Sequence, residues 1–202
     1  MLLIGLTGGI GSGKSTVSAA LVARGARLVD ADAVVRELQQ PGTPVFEAMV
    51  ARFGPGIVAS DGTLDRPAVA ALVFSDEAAR ADLNGIVHPA VGAEIAQRIA
   101  AAADSDDVVV LDVPLLVESS RYPVAGVLVV DCPVETAVRR LVEQRGMDEA
   151  DARARIAVQA TREERLARAD HVVDNSGTPD DLAPEIDRAW TWIETLRKAN
   201  VR

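Results

Sequence analysis

The chain has 202 residues, 49% hydrophobic and 25% charged, with a formal net charge of −9. A chain of this length can bury roughly 70% of its unfolded surface, so a proper core needs no staples, and the apolar content is that of a folded globular chain. The acidic balance argues against a general nucleic-acid binder, whose partner demands a basic surface, and no run of about 18 apolar residues is present to span a membrane.

In chain order, the apolar run 2–6, the glycines after it and the pattern 14–22 read as strand, loop and helix. A second strand is predicted at 26–29, with Asp30-Ala31-Asp32 at its carboxyl end and a helix over 33–38. Residues 45–103 read differently. Helices are predicted at 45–53, 67–74 and 76–85, and a further one starts near His88-Pro89. Ser60-Asp61-Gly62-Thr63 carries the Asp-Gly signal of a tight hairpin between short strands. Strands follow at 108–111 and 127–130, with a shorter one opening at Val172-Val173. Helices are predicted at 135–144, 148–159 and 180–198. The only cysteine, Cys132, cannot form an internal disulfide and reads as a buried structural thiol. With no basic leader over residues 1–4, a reducing, cytoplasmic setting is expected. Strands alternating with helices predict an α/β fold with a five-stranded parallel sheet covered on both faces.

Gly8-Gly9-Ile10-Gly11-Ser12-Gly13-Lys14-Ser15 satisfies G-x-x-x-x-G-K-[ST] between a predicted strand and a predicted helix. Glycines let the backbone turn sharply and bring successive N–H groups round phosphate oxygens. The helix behind them aims its positive end at the same anions. Gly9, Gly11, Ser12, Gly13, Lys14, Ser15 and Thr16 are therefore expected to bind ATP. Lys14 would bridge the β- and γ-phosphates, and the Ser15 hydroxyl would ligate magnesium directly. Only two of the 21 basic residues are lysines, Lys14 and Lys198. The Asn-Lys-x-Asp guanine reader of a GTPase is absent from the sequence. A short chain with a helical insertion suits a kinase of a small acceptor.

Residues 5–15 resemble the opening of dephospho-CoA kinases. So do Asp30-Ala31-Asp32, residues 83–89 with His88-Pro89, and Val113-Pro114-Leu115-Leu116-Val117-Glu118. Residues 159–170 are similar to the late signature of that family, and Asp174-Asn175-Ser176-Gly177 follows them. The resemblance runs across almost the whole chain. It implies ATP, magnesium and transfer of the γ-phosphoryl group to the ribose 3′-hydroxyl of dephospho-CoA. A phosphate-loop core over 1–35, 104–133 and 169–202 is expected, with a helical acceptor-binding domain over 36–103 and a lid over 134–168.

Asp32 is the candidate catalytic base, with capping of the next helix as its plain alternative. Asp112 closes a strand as a Walker-B-like acid, either near magnesium through water or bonded to the phosphate loop. Pro114 and Leu115 would form an apolar wall beside the acceptor, and His88 would belong to the acceptor domain. Residues 134–168 hold eight arginines against seven acids. From its place in the lid of similar kinases, Arg140 is the first choice among them for a catalytic arginine, with Arg162 and Arg165 as further candidates and a solvated helix laced with i,i+4 pairs as the plain alternative. The resemblance puts Asn175 and Gly177 against adenine. The expected partners are ATP and dephospho-CoA, with no nucleic acid and no membrane, in a monomer or small homo-oligomer. Two rivals stand beside this reading: a kinase of another small acceptor, such as a nucleotide, nucleoside or sugar acid, and a nucleotide-binding regulator with little turnover.

Overall fold

The computed structural model describes residues 1–113 and 122–200. Pro114 and Leu115 lie outside the described residues. The strands are β1 (Leu2–Gly8), β2 (Arg27–Asp30), β3 (Val108–Asp112), β4 (Gly126–Asp131) and β5 (His171–Asp174). The described helices are α1 (Lys14–Ala23), α2 (Ala31–Leu38), α3 (Pro44–Phe53), α4 (Arg66–Ser75), α5 (Glu77–Ala100), α6 (Val134–Arg145), α7 (Glu149–Ala157), α8 (Arg162–Ala167) and α9 (Pro179–Asn200). The chain forms two compact units, Met1–Val29 with Ala102–Arg202, and Asp30–Ala101.

The first unit is built on the predicted five-stranded parallel sheet, in the order β2-β3-β1-β4-β5. β1 is central and buried along its whole length. It pairs with β3 from Leu2↔Val108 to Leu6↔Asp112, and with β4 from Ile4↔Gly126 to Gly8↔Val130. This register brings the carboxyl ends of β1, β3 and β4 to one edge, where ligands of open parallel sheets bind. The strand period of two sends Leu2, Ile4, Leu6, Val108, Val110, Leu128 and Val130 into one cluster. Val17 and Leu21 of α1 and Leu182, Ile186 and Ile193 of α9 cover that face. Leu3, Val109, Leu111 and Val129 are buried as well, which explains why these strands read as continuous apolar runs.

The second unit packs four helices round Val45, Met49, Ile57, Val69 and Val87. Each helix starts on a side-chain oxygen. Asp30 accepts from Ala33 N at 3.0 Å, Thr43 from Phe46 N at 3.2 Å, and Asp65 from Ala68 N at 2.9 Å. Asp76 accepts from Ala78 N at 2.8 Å and Ala79 N at 3.1 Å. Such caps satisfy N–H groups that the helix itself leaves open.

Three local expectations are corrected. The two helices predicted on either side of His88-Pro89 are one helix, α5, with Pro89 inside it. Pro89 forgoes the bond to the Gly85 carbonyl, but both residues are exposed, so water can take the partner's place. The hairpin round Asp61-Gly62 is a turn closed by a single bridge, Val58↔Leu64, rather than by two strands. The helix predicted over 148–159 ends at Ala157, and a second short helix, α8, starts on a capping box at Thr161 and Glu164.

His171 opens β5 and stacks on Trp192 of α9, with ring centroids 5.1 Å apart and planes inclined by 17°. Its Nε2 is buried without a hydrogen-bond partner among the described residues. Burial pushes its pKa below the ordinary histidine value, while Glu185 pulls up and Arg188 pulls down more weakly. The folded state thus prefers neutral imidazole. Its contribution to stability is complete above the unfolded histidine pKa and drains as pH falls through the lowered folded value. Urea midpoints measured between about pH 7 and pH 5 should fall less steeply for His171→Leu than for the parent chain.

Candidate active site

The strand β1 ends at Gly8 and α1 begins at Lys14. Between them Ser12 N donates to the Gly9 carbonyl at 3.0 Å, tightening the loop. Gly11 and Gly13 have φ of 79° and 87°, in the left-handed region. A Cβ would stand 2.8 Å from the Ala137 carbonyl oxygen at Gly11, and 2.2 Å from Asn175 Nδ2 at Gly13. Glycine is therefore required at both positions by backbone angle and by space. Unlike the helices of the second unit, α1 has no side-chain cap, and its first turn carries no acid. The N–H groups of Gly11, Gly13, Lys14 and Ser15 have no partner among the described residues. Open amides and the positive end of α1 make this edge an anion site.

Lys14 Nζ forms an ion pair with Asp112 Oδ1 at the end of β3, where the side chains are 18% and 4% exposed. Asp112 has further polar contacts. Its buried negative charge holds the lysine at the loop. Ser15 and Thr16 are exposed in the first turn of α1. The side-chain oxygens at the head of α1 are the Ser15 and Thr16 hydroxyls, with the Asp112 carboxylate bound to Lys14, and the described residues contain no cluster of three or more His, Cys, Asp or Glu able to hold a metal. That sparse set fits magnesium, which usually takes one or two protein oxygens and leaves the rest to water and substrate phosphates.

Side chains distant in sequence converge on the loop. Gln159 Oε1 accepts from Ile10 N at 2.9 Å. The Arg165 guanidinium lies against Gly9, where a Cβ would be 2.8 Å from Nη2, and its Nη1 donates to the Ala160 carbonyl. Arg162 grips the Asp131 carboxylate, with Nε 3.0 Å from both oxygens and Nη2 2.6 Å from Oδ2. Those bonds hold the Arg162 pKa above its usual value. Asn175 Nδ2 donates to the Ser12 carbonyl at 2.7 Å. Arg140 Nη2 donates to the Gly177 carbonyl at 3.2 Å, while Nη1 is buried without a partner among the described residues. A small, partly open cleft lies among Ile10, Ser12, Cys132, Ala137, Ile156 and Arg165. Burial pushes the Cys132 thiol up in pKa, against weaker Arg140, Arg162 and Arg165 fields, so it remains protonated and packs as an apolar group.

In the second unit Asp32 stands exposed in the first turn of α2, and its carboxylate has no hydrogen bond or ion pair to another described residue. The capping role belongs to Asp30. His88 is exposed on α5. Asp131 escaped the sequence reading; its signal was an acid at a strand's carboxyl end, the same that marked Asp112.

A glycine loop with open amides, a lysine and a neighbouring strand-end acid, set on a parallel sheet, defines the phosphate-loop kinase class. Residues 2–181 match the family model of dephospho-CoA kinases. The chain is 50% identical to the dephospho-CoA kinase of Thermobifida fusca over 205 residues, covering all of both proteins. It is 55% identical to that of Mycolicibacterium paratuberculosis over 191 residues, which are 94% of this chain but only 47% of that longer relative. Among solved structures, TT1252 from Thermus thermophilus is 34% identical, with a TM-score of 0.80 over 96% of each chain. The chain belongs to the dephospho-CoA kinase family.

Removing Lys14 leaves the buried Asp112 charge without its ammonium partner. Lys14→Ala should cost about 3 kcal/mol in urea unfolding. Lys14→Ala/Asp112→Ala should recover most of that loss while turnover stays absent in both.

Proposed function

We propose that this chain transfers the γ-phosphoryl group of ATP to the ribose 3′-hydroxyl of dephospho-CoA, giving CoA and ADP. The observation that carries the reading is the uncapped N-terminus of α1 behind the glycine loop, with Lys14 held there by Asp112. Preorganised amides and one fixed ammonium stabilise charge spread over phosphoryl oxygens in a loose transition state. The acceptor oxygen bonds to the γ-phosphorus as the bond to the β,γ-bridging oxygen breaks, and ADP leaves. Asp32 orients the hydroxyl and takes its proton. Its support is the free, exposed carboxylate and the assignment of the helix cap to Asp30.

Magnesium, when bound, neutralises charge on the β- and γ-phosphates; Ser15 would hold it directly and Asp112 through water. Gly9, Gly11, Ser12, Gly13 and Thr16 line the phosphate end, and Arg140 and Gly177 border the nucleotide. The segment 134–168 acts as a lid that excludes water. Residues 36–103, with His88, carry acceptor binding. The protein works in the cytoplasm as a monomer or small homo-oligomer, without nucleic acid. No helix among the described residues is long and apolar enough to cross a membrane.

Incubation with magnesium, ATP and dephospho-CoA should yield CoA, seen by mass spectrometry as one added phosphate. Asp32→Asn should lower kcat by roughly 10²–10⁴ at little change in ATP affinity. Faster phosphorylation of a nucleoside monophosphate than of dephospho-CoA would point instead to another small-acceptor kinase. Turnover of Asp32→Asn within about tenfold of the parent would remove Asp32 from the base role.

A further inference from the structure

Asn175 closes the phosphate loop from behind. It follows β5 and is only 7% exposed. Its backbone N–H donates to the Asp131 carbonyl at 2.8 Å, which pins it to the carboxyl end of β4. Its side chain reaches 163 residues back along the chain, with Nδ2 2.7 Å from the Ser12 carbonyl oxygen. A peptide group is planar, and its C=O and N–H point in opposite directions. Anchoring Ser12 O therefore fixes the Ser12–Gly13 plane and turns the Gly13 N–H away from Asn175. That N–H is among those with no partner among the described residues.

Gly13 gives this bond its purpose. A glycine swings between backbone basins at little cost, so the peptide in front of it is soft. Gly13 also stands so close to Asn175 that a Cβ would lie 2.2 Å from Nδ2. The glycine thus admits the asparagine, and the asparagine removes the freedom that the glycine brings.

We propose that Asn175 is a positioning residue for phosphate binding, which locks the Gly13 amide toward the anion before nucleotide arrives. The proposal rests on reading residues 8–15 as the polyphosphate site. It replaces the adenine contact implied by family resemblance with a role that is blind to the base. Donors fixed in advance bind an anion more tightly than donors that must be ordered by it.

Base-blindness supplies the test. Titration calorimetry with magnesium would compare ATP with inorganic tripolyphosphate on the parent chain and on Asn175→Ala. The expected result is a loss of about tenfold in affinity for both ligands alike. The KM for ATP should rise by the same factor while the KM for the acceptor stays unchanged. A loss for ATP with tripolyphosphate unaffected would overturn the proposal in favour of adenine contact. Unchanged affinity for both would overturn it outright, because a purely structural asparagine alters the folded fraction and not the affinity of folded molecules. Should Asn175→Ala melt too low to titrate, Asn175→Ser takes its place. The shorter side chain cannot span to the Ser12 carbonyl, so the same uniform loss is expected. A parent chain that binds ATP but not tripolyphosphate would contradict the polyphosphate reading itself, and the proposal would fall with it.

Discussion

The first turn of α1 has no cap. Six other helices start on oxygens supplied by Asp30, Thr43, Asp65, Asp76, Asp148 and Thr161, and α6, which follows Pro133 without a side-chain cap, carries Glu135 in its first turn. At Lys14 the preceding residue is Gly13 in the left-handed region, and the first turn carries no acid. An uncapped helix end leaves several N–H groups unsatisfied and a partial positive charge in front of them. The rest of the first unit holds that unsatisfied end in shape. β1 delivers the loop from the buried centre of the sheet, Asp112 secures Lys14 beside it, and Gln159 and Asn175 grip its backbone at Ile10 and Ser12.

Charge makes sense on the same terms. A protein of net charge −9 should repel a polyphosphate at long range. Around the loop, however, Lys14, Arg140, Arg162 and Arg165 gather from three separate stretches of chain. Arg162 is matched by Asp131 and Lys14 by Asp112, so the cationic groups are placed by acids at strand ends. Fixed geometry limits the reorganisation that binding an anion would otherwise require.

Much of this was legible in the sequence because it was local. β1, β3 and β4 showed as apolar runs because they are buried on both faces, and the loop showed because its glycines answer to backbone angles within a few residues. What escaped was long-range or ambiguous at short range. Nothing near Asn175 marks it as a partner of Ser12, 163 residues away. Asp131 and Arg162 lie 31 residues apart and meet only once α8 has packed against β4. Asp30 and Asp32 each suited a cap by residue type, and only the backbone at the end of β2 separates the capping acid from the exposed one. His88-Pro89 read as a helix boundary because proline removes a donor; on the exposed face of α5 that loss is tolerated.

The measurement that bears most directly on the account is a titration of the uniformly ¹⁵N-labelled chain with magnesium and ATP, followed through its backbone amide resonances. The largest shifts should fall on Gly11, Gly13, Lys14 and Ser15, the amides left open at the head of α1. Shifts confined to other parts of the chain, with those four amides unmoved at saturation, would contradict it.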